Sequence, residues 1–189
     1  MPATYTYRIR QFVQAVGSWF HVEESDDGAV AGYLPAGAMT LFWTMPRYDR
    51  RHALRVLCAL QARGRAEPEL LAAALLHDIG KIGLQAGDCP HPLRSGRTAG
   101  RVRLWHRVAT VLMRAMWPGL LERIGRDSGP GSWCYPFYVQ LHHAAIGALL
   151  AEQAGCLPRT VELIRDHEDP AAVAGDPLLA VLQRADNQS

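Results

Sequence analysis

Apolar positions in this chain recur at helical spacing. In the run HALRVLCALQ, Val56, Ala59 and Leu60 follow His52 at i+4, i+7 and i+8, the stripe of an amphipathic helix. Residues 70–76, LLAAALL, are apolar on every side, which predicts a helix enclosed by others. The same reading predicts a first helix over 6–20, with Ile9, Phe12, Val13 and Val16 on one face. A second covers PAGAMTLFWTM, where Leu41, Phe42 and Trp43 are expected to cap the core. Further helices are expected over about 100–117, in a short piece within 118–132, and from Tyr135 to Gly155. On a last one Leu179, Leu182 and Asp186 share a face.

The breaks between these runs carry turn chemistry. Gly64 and Pro68 suit the stop of one helix and the first position of the next, and the connection is short enough for antiparallel packing. Asp176 and Pro177 suit the N-cap and first position of the last helix. The longest irregular stretch, IGLQAGDCPHPLRSGRTAG, comes after Lys81 and is rich in Gly and Pro, the composition of a lid or entrance wall. The expectation is an all-α bundle, one domain over 1–189, with residues 1–45 as covering helices and 46–189 as the core.

Composition sharpens this only in places. A chain of 189 residues, 49% hydrophobic and 20% charged, is long enough to bury roughly two thirds of its unfolded surface. No run approaches the roughly 20 apolar residues of a membrane span, and MPATYTYRIR does not lead into a signal-peptide core, so the expected location is the cytoplasm. Cys58, Cys89, Cys134 and Cys156 form no CxxC pair; those on apolar helical runs read as small buried thiols. The net charge of +2 argues for neither nucleic acid nor membrane as the main partner. Arg94, Arg97, Arg101, Arg103, Arg107 and Arg114 form a basic stretch, read as a solvated face or an anion-attracting rim. Nineteen of the twenty cations are Arg, and Lys81 is the sole Lys, three residues after Asp78. A compact ammonium has been kept at that one place.

Candidate chemistry centres on His77 and Asp78, which close the apolar run of 70–76. A charge there is costly unless paired or metal-bound. Gly80 reads as the stop of that helix, and packing against the His52 helix would bring three ligand-type side chains to one point. Imidazole with carboxylate suits Mn, Fe, Ni, Co or Zn. His21 and His91 read as exposed loop residues.

The order His52, His77–Asp78, Asp186 resembles the H…HD…D signature of the HD superfamily of metal-dependent phosphohydrolases, and HDIGKIG is similar to the form seen in its HD-GYP branch. The match spans about 135 of the 189 residues. The resemblance implies an HD-domain helical bundle in which His52, His77, Asp78 and Asp186 hold one metal. Asp78 would bridge to a second metal held by His143 and His167. HAAIG, after His142, looks like the HPxxG element with Ala144 in place of proline, and it selects His143 over His142. PRTVELIRDHED resembles the V..I..HHE element, with His167 on the second histidine and Asp166 in place of the first. DPAAVAGDP stands where GYP would be, so specificity for cyclic di-GMP is not implied.

The activity implied by the resemblance is hydrolysis of a nucleotide or other small phosphoester by a metal-activated water, with two divalent ions (Mn, Fe, Ni, Co, Mg or Zn) as cofactors. Two such ions, roughly 3.5 to 4 Å apart, lower the pKa of a shared water and neutralise phosphoryl oxygens. Lys81 is expected to bind a substrate phosphate, and Arg55, one turn after His52, either does the same or pairs with a surface acid. Four His and two Asp also match the di-iron oxygenases of the superfamily, and a non-catalytic signalling module is a third reading.

Overall fold

The structure is a computed structural model that describes residues 28–83, 102, 104–126, 129 and 132–189. The expected first helix over 6–20, His21, Cys89, His91, and Arg94, Arg97, Arg101 and Arg103 lie outside the described residues. Among those described the chain is all-helical: after one turn at Gly28–Ala31 come α1 (Ala36–Thr44), α2 (Arg47–Gln61), α3 (Pro68–Leu76), α4 (Leu104–Met116), α5 (Pro118–Ile124), α6 (Tyr135–Gln153), α7 (Pro158–Asp166) and α8 (Pro177–Asp186). Two 3-10 turns, Ile79–Ile82 and Ala172–Gly175, complete the set. None of these helices is long and apolar enough to cross a membrane.

Helix α3 is the axis. Leu70 to Leu76 are all buried, because α2, α7 and α8 pack around it. Its neighbours present one apolar face each: Ala53, Val56, Leu57 and Leu60 on α2, Val161, Leu163 and Ile164 on α7, Leu179, Leu182 and Ala185 on α8. The long helix α6 lies against α7 and against the 3-10 turn.

Local signals set the boundaries. Gly64 takes φ 74°, and Arg65 N–H donates to Leu60 C=O, closing α2 with a left-handed cap that L side chains disfavour. Pro68, Pro118, Pro158 and Pro177 open their helices where a backbone N–H would be unpaired in any case. The Asp176 carboxylate accepts from the N–H groups of Leu178 and Leu179 and from Arg159 at 2.6 Å, pinning the start of α8 to α7.

Four expectations need correction. The basic helix begins at Leu104 rather than near 100. Trp43 does not cap the core but is 38% exposed, with the Arg50 guanidinium 5.0 Å from its ring, while Leu41 and Phe42 are buried. Cys58 is exposed: α2 buries the stripe through Val56 and Leu60, and position 58 falls on the opposite side. Gly80 does not stop α3. That helix ends at Leu76, His77 is its C-cap, and Asp78 (φ −95°, ψ 3°) lies in the bridge region and turns the chain into the 3-10 segment. The left-handed stop is Gly83, φ 73°.

Candidate metal centre

Three helices end on one point. His77 is the C-cap of α3, His167 the C-cap of α7, and Asp186 the last residue of α8. Helix C-termini carry partial negative charge, so their convergence favours a cation and opposes the Asp186 carboxylate. His52 from the middle of α2 and His143 from α6 complete the ring of donors.

The imidazoles stand in a row. His52 to His77, His77 to His167, and His167 to His143 each have ring centroids 5.2 Å apart. Three of them share one orienting device. His77 Nδ1 donates to Ala74 C=O (2.9 Å), His143 Nδ1 to Gln140 C=O (2.9 Å), and His167 Nδ1 to Ile164 C=O (2.7 Å), each three residues back on its own helix. A carbonyl only accepts, so Nδ1 carries the hydrogen, and each ring turns its Nε2 to the centre. That arrangement fixes tautomer and orientation in metal-ligating histidines.

The Asp78 carboxylate is the hub. Its Oδ1 lies 3.7 Å from His77 Nε2, 3.5 Å from His143 Nε2 and 3.9 Å from His167 Nε2. Two groups of potential ligands share it: His52, His77 and Asp78, and Asp78, His143 and His167, with the ligand atoms of each group within 4.8 Å of one another. Asp186 Oδ1 joins the first group, 2.7 Å from His52 Nε2 and 3.4 Å from His77 Nε2. His77, Asp78, His143 and His167 are all buried. Among them His77 Nε2, His143 Nε2 and Asp78 Oδ1 have no hydrogen-bond partner. Lys81 Nζ contacts Asp78 Oδ1 at 2.5 Å as an ion pair outside hydrogen-bonding geometry. Orphaned polar atoms in a dry interior each cost roughly 1–3 kcal/mol, and divalent ions on these donors would remove that cost. The residues present therefore fit such ions, with water and substrate free to take positions that the protein leaves open.

Charge is distributed unevenly over the ring. Burial disfavours the charged form of His77, but Asp78 and Asp186 outweigh it and push the imidazole up to about 9. Burial, reinforced by the charges of His77 and His143, pushes His167 down to about 3, so it is neutral at pH 7. Burial would raise Asp78, yet Lys81, His77 and His143 hold it well below the carboxylate range. His77 and His52 likewise keep Asp186 ionised against its burial.

These shifts make stability depend on pH. In metal-free protein His77 is raised above its unfolded value, so the stability it contributes is complete below about 6.5 and is lost as pH rises through about 9. Metal must displace that proton, so its affinity rises over the same window. Thermal melts with and without chelator should separate progressively from pH 6.5 to 9, with the chelated protein falling. Parallel curves would show that His77 meets no ion.

Of the positions expected from sequence, His52, His77, Asp78, His143, His167 and Asp186 are brought together, and Lys81 lies beside them. His142 is exposed and points away, its ring 4.5 Å from that of Tyr138. The Asp166 carboxylate belongs to neither ligand group. Arg55 sits one turn beyond His52 with Nε buried and without a hydrogen-bond partner, and no ion pair to it is found among the described residues. Sequence reasoning missed Glu168, whose Oε1 is 3.7 Å from His143 Nε2. Its adjacency to His167 was the available signal. It also missed the buried Asp49, one turn before His52, which accepts from Arg107 of α4 at 2.7 Å and ties that helix to the centre.

Compared with known proteins, the chain matches no family model, no curated protein and no solved structure.

Proposed function

We propose that this protein is a metal-dependent phosphohydrolase of the HD type, acting on a nucleotide or another small phosphoester. One observation carries the reading: His52, His77, His143 and His167, from four helices, form two groups of potential ligands that share Asp78, and three buried atoms among them have no hydrogen-bond partner. His52, His77, Asp78 and Asp186 would hold one divalent ion and Asp78, His143 and His167 a second. Bound there, such ions supply an activated water and neutralise phosphoryl oxygens.

The chain's own residues do the rest. The i−3 carbonyls hold three imidazoles in register, so the donors need no reorganisation. Lys81, 13% exposed at the rim, pairs with Asp78 when no ion does. Were Asp78 to serve as a metal ligand, the Lys81 ammonium would be free to meet a substrate phosphoryl oxygen and stabilise charge developing in the transition state. The mostly buried ring excludes bulk water and strengthens that interaction.

The test is elemental analysis of the purified protein with a panel of nucleotides and phosphoesters under Mn, Mg, Ni, Co and Fe. Release of phosphate or nucleoside in step with bound metal supports the reading. Oxygen consumption by the iron-loaded protein without phosphate release would move it to the di-iron oxygenases, whose four-His, two-Asp set is equally present. Metal content without either reaction would leave a signalling module. Lys81→Met should retain the metals of the parent and lose activity by roughly 10²-fold or more. An active Lys81→Met enzyme would assign Lys81 to charge balance alone.

A further inference from the structure

The two ligand groups are unequal. His52, His77, Asp78 and Asp186 bring four donors and two carboxylates to the first. Asp78, His143 and His167 bring three donors to the second, and its one carboxylate is the shared Asp78. A divalent ion held by the second group alone would have a single shared negative charge against its own two.

Glu168 stands beside that deficit. It follows the C-cap His167, and its Oε1 is 3.7 Å from His143 Nε2, a buried atom with no hydrogen-bond partner. The separation is too long for a hydrogen bond. It is near the spacing of two donors on a common ion, since bonds of about 2.1 Å set neighbouring ligand atoms roughly 3 to 3.5 Å apart. Asp78 Oδ1, already in the group, lies 3.5 Å from the same nitrogen. An acid at a helix end has an ordinary use, the surface ion pair, and the exposed Arg165, three residues earlier, is placed to supply one. Glu168 does not take it: among the described residues its carboxylate meets no charged group but His143 and makes no hydrogen bond. Its side chain is 47% exposed, whereas those of Asp78, His143 and His167 are buried. Its Oε1 falls outside the tight group which those three form, so it reaches that group by rotating an unrestrained side chain.

We infer that Glu168 is the detachable fourth ligand of the second ion, an inference that rests on the two-ion reading of the centre. Turned inward, the carboxylate gives both groups four donors and two carboxylates. Turned out into solvent, it leaves a position for a phosphoryl oxygen, one anionic oxygen replacing another. The buried imidazoles have no such freedom, so the second ion is the more readily exchanged.

The test is calorimetric titration of Mn into the chelator-stripped whole protein, with bound metal counted by mass spectrometry. The parent should take up two ions. Glu168→Gln should bind one as the parent does and the other at least about tenfold more weakly. Glu168→Asp, with the charge on a shorter stem, should recover part of the loss, and Arg165→Gln should change neither ion. Because Glu168 is half-exposed, metal-free Glu168→Gln should melt with the parent, which separates a lost ligand from lost folding. At saturating Mn, inorganic phosphate should bind Glu168→Gln about fivefold more tightly than the parent, since no carboxylate has to leave. Parent affinity for both ions in Glu168→Gln would overturn the inference and leave the two-ion centre standing. Equal weakening of both ions, or phosphate binding no tighter in the variant, would overturn it as well. A parent that takes up fewer than two ions would overturn the two-ion reading and the inference with it.

Discussion

Asp78→Asn is expected to empty the whole centre, not half of it. The substitution preserves shape and removes one charge, yet the oxygen it alters is shared by both ligand groups, at 3.5 to 3.9 Å from the Nε2 atoms of His77, His143 and His167. Affinity for each ion should fall by at least about 10²-fold, and turnover on the order of 10³-fold with it. His167→Gln touches only one group, so it should lose one ion and keep the other. Metal stoichiometry by mass spectrometry of the two variants beside the parent distinguishes these outcomes. Asp78→Asn also leaves Lys81 and protonated His77 without their buried counter-charge, so its melting temperature is measured alongside. His167 is neutral, so His167→Gln removes no charge, which makes it the control for folding. Unequal loss, with one ion surviving in Asp78→Asn, would show that Asp78 does not bridge.

Much of this centre is legible in the sequence because its donors stand in contexts that ordinary helices avoid. A His–Asp pair closing a fully apolar helix, an Asp at a helix C-terminus and a lone Lys in an otherwise arginine-only chain each contradict a local preference. The helical boundaries are legible where Pro and Gly punctuate them, as at Gly64, Pro68 and Pro177. Other features require three-dimensional neighbours. Trp43 and Cys58 have the hydrophobicity of core residues, and only the packing partners of α1 and α2 decide which side of each helix is covered. The Asp49–Arg107 pair joins residues 58 apart, with no periodic pattern linking them. The hydrophobic pattern alone does not say which side of an amphipathic helix looks inward.

Gly80 serves as a point of backbone contact rather than a helix stop, and that role makes Gly80→Ala the variant with the largest expected effect on folding. A Cβ at position 80 would stand 2.7 Å from Gly147 N and still closer to His143 C=O. Both are backbone atoms of α6, which cannot rotate away as a side-chain tip could. Reciprocally, a Cβ on Gly147 would meet Gly80 N and Ile79 Cγ2 at 3.2 Å. Two glycines therefore let the turn after Asp78 lie directly on α6, and this contact sets the distance between Asp78 and His143. Adding one methyl must push the two segments apart. The expected cost is at least about 3 kcal/mol, or a drop of roughly 10 °C in melting temperature. Gly147→Ala, whose nearest contacts include the more adaptable Ile79 and Ile164 side chains, should cost less, about 1–2 kcal/mol. Because the displacement acts along the line from Asp78 to His143, the second ion should weaken in Gly147→Ala before the protein unfolds. Thermal melts and metal titrations of both variants test this. An unperturbed Gly80→Ala protein would mean that the turn and α6 are not in backbone contact, and the spacing of the two ligand groups would need another cause.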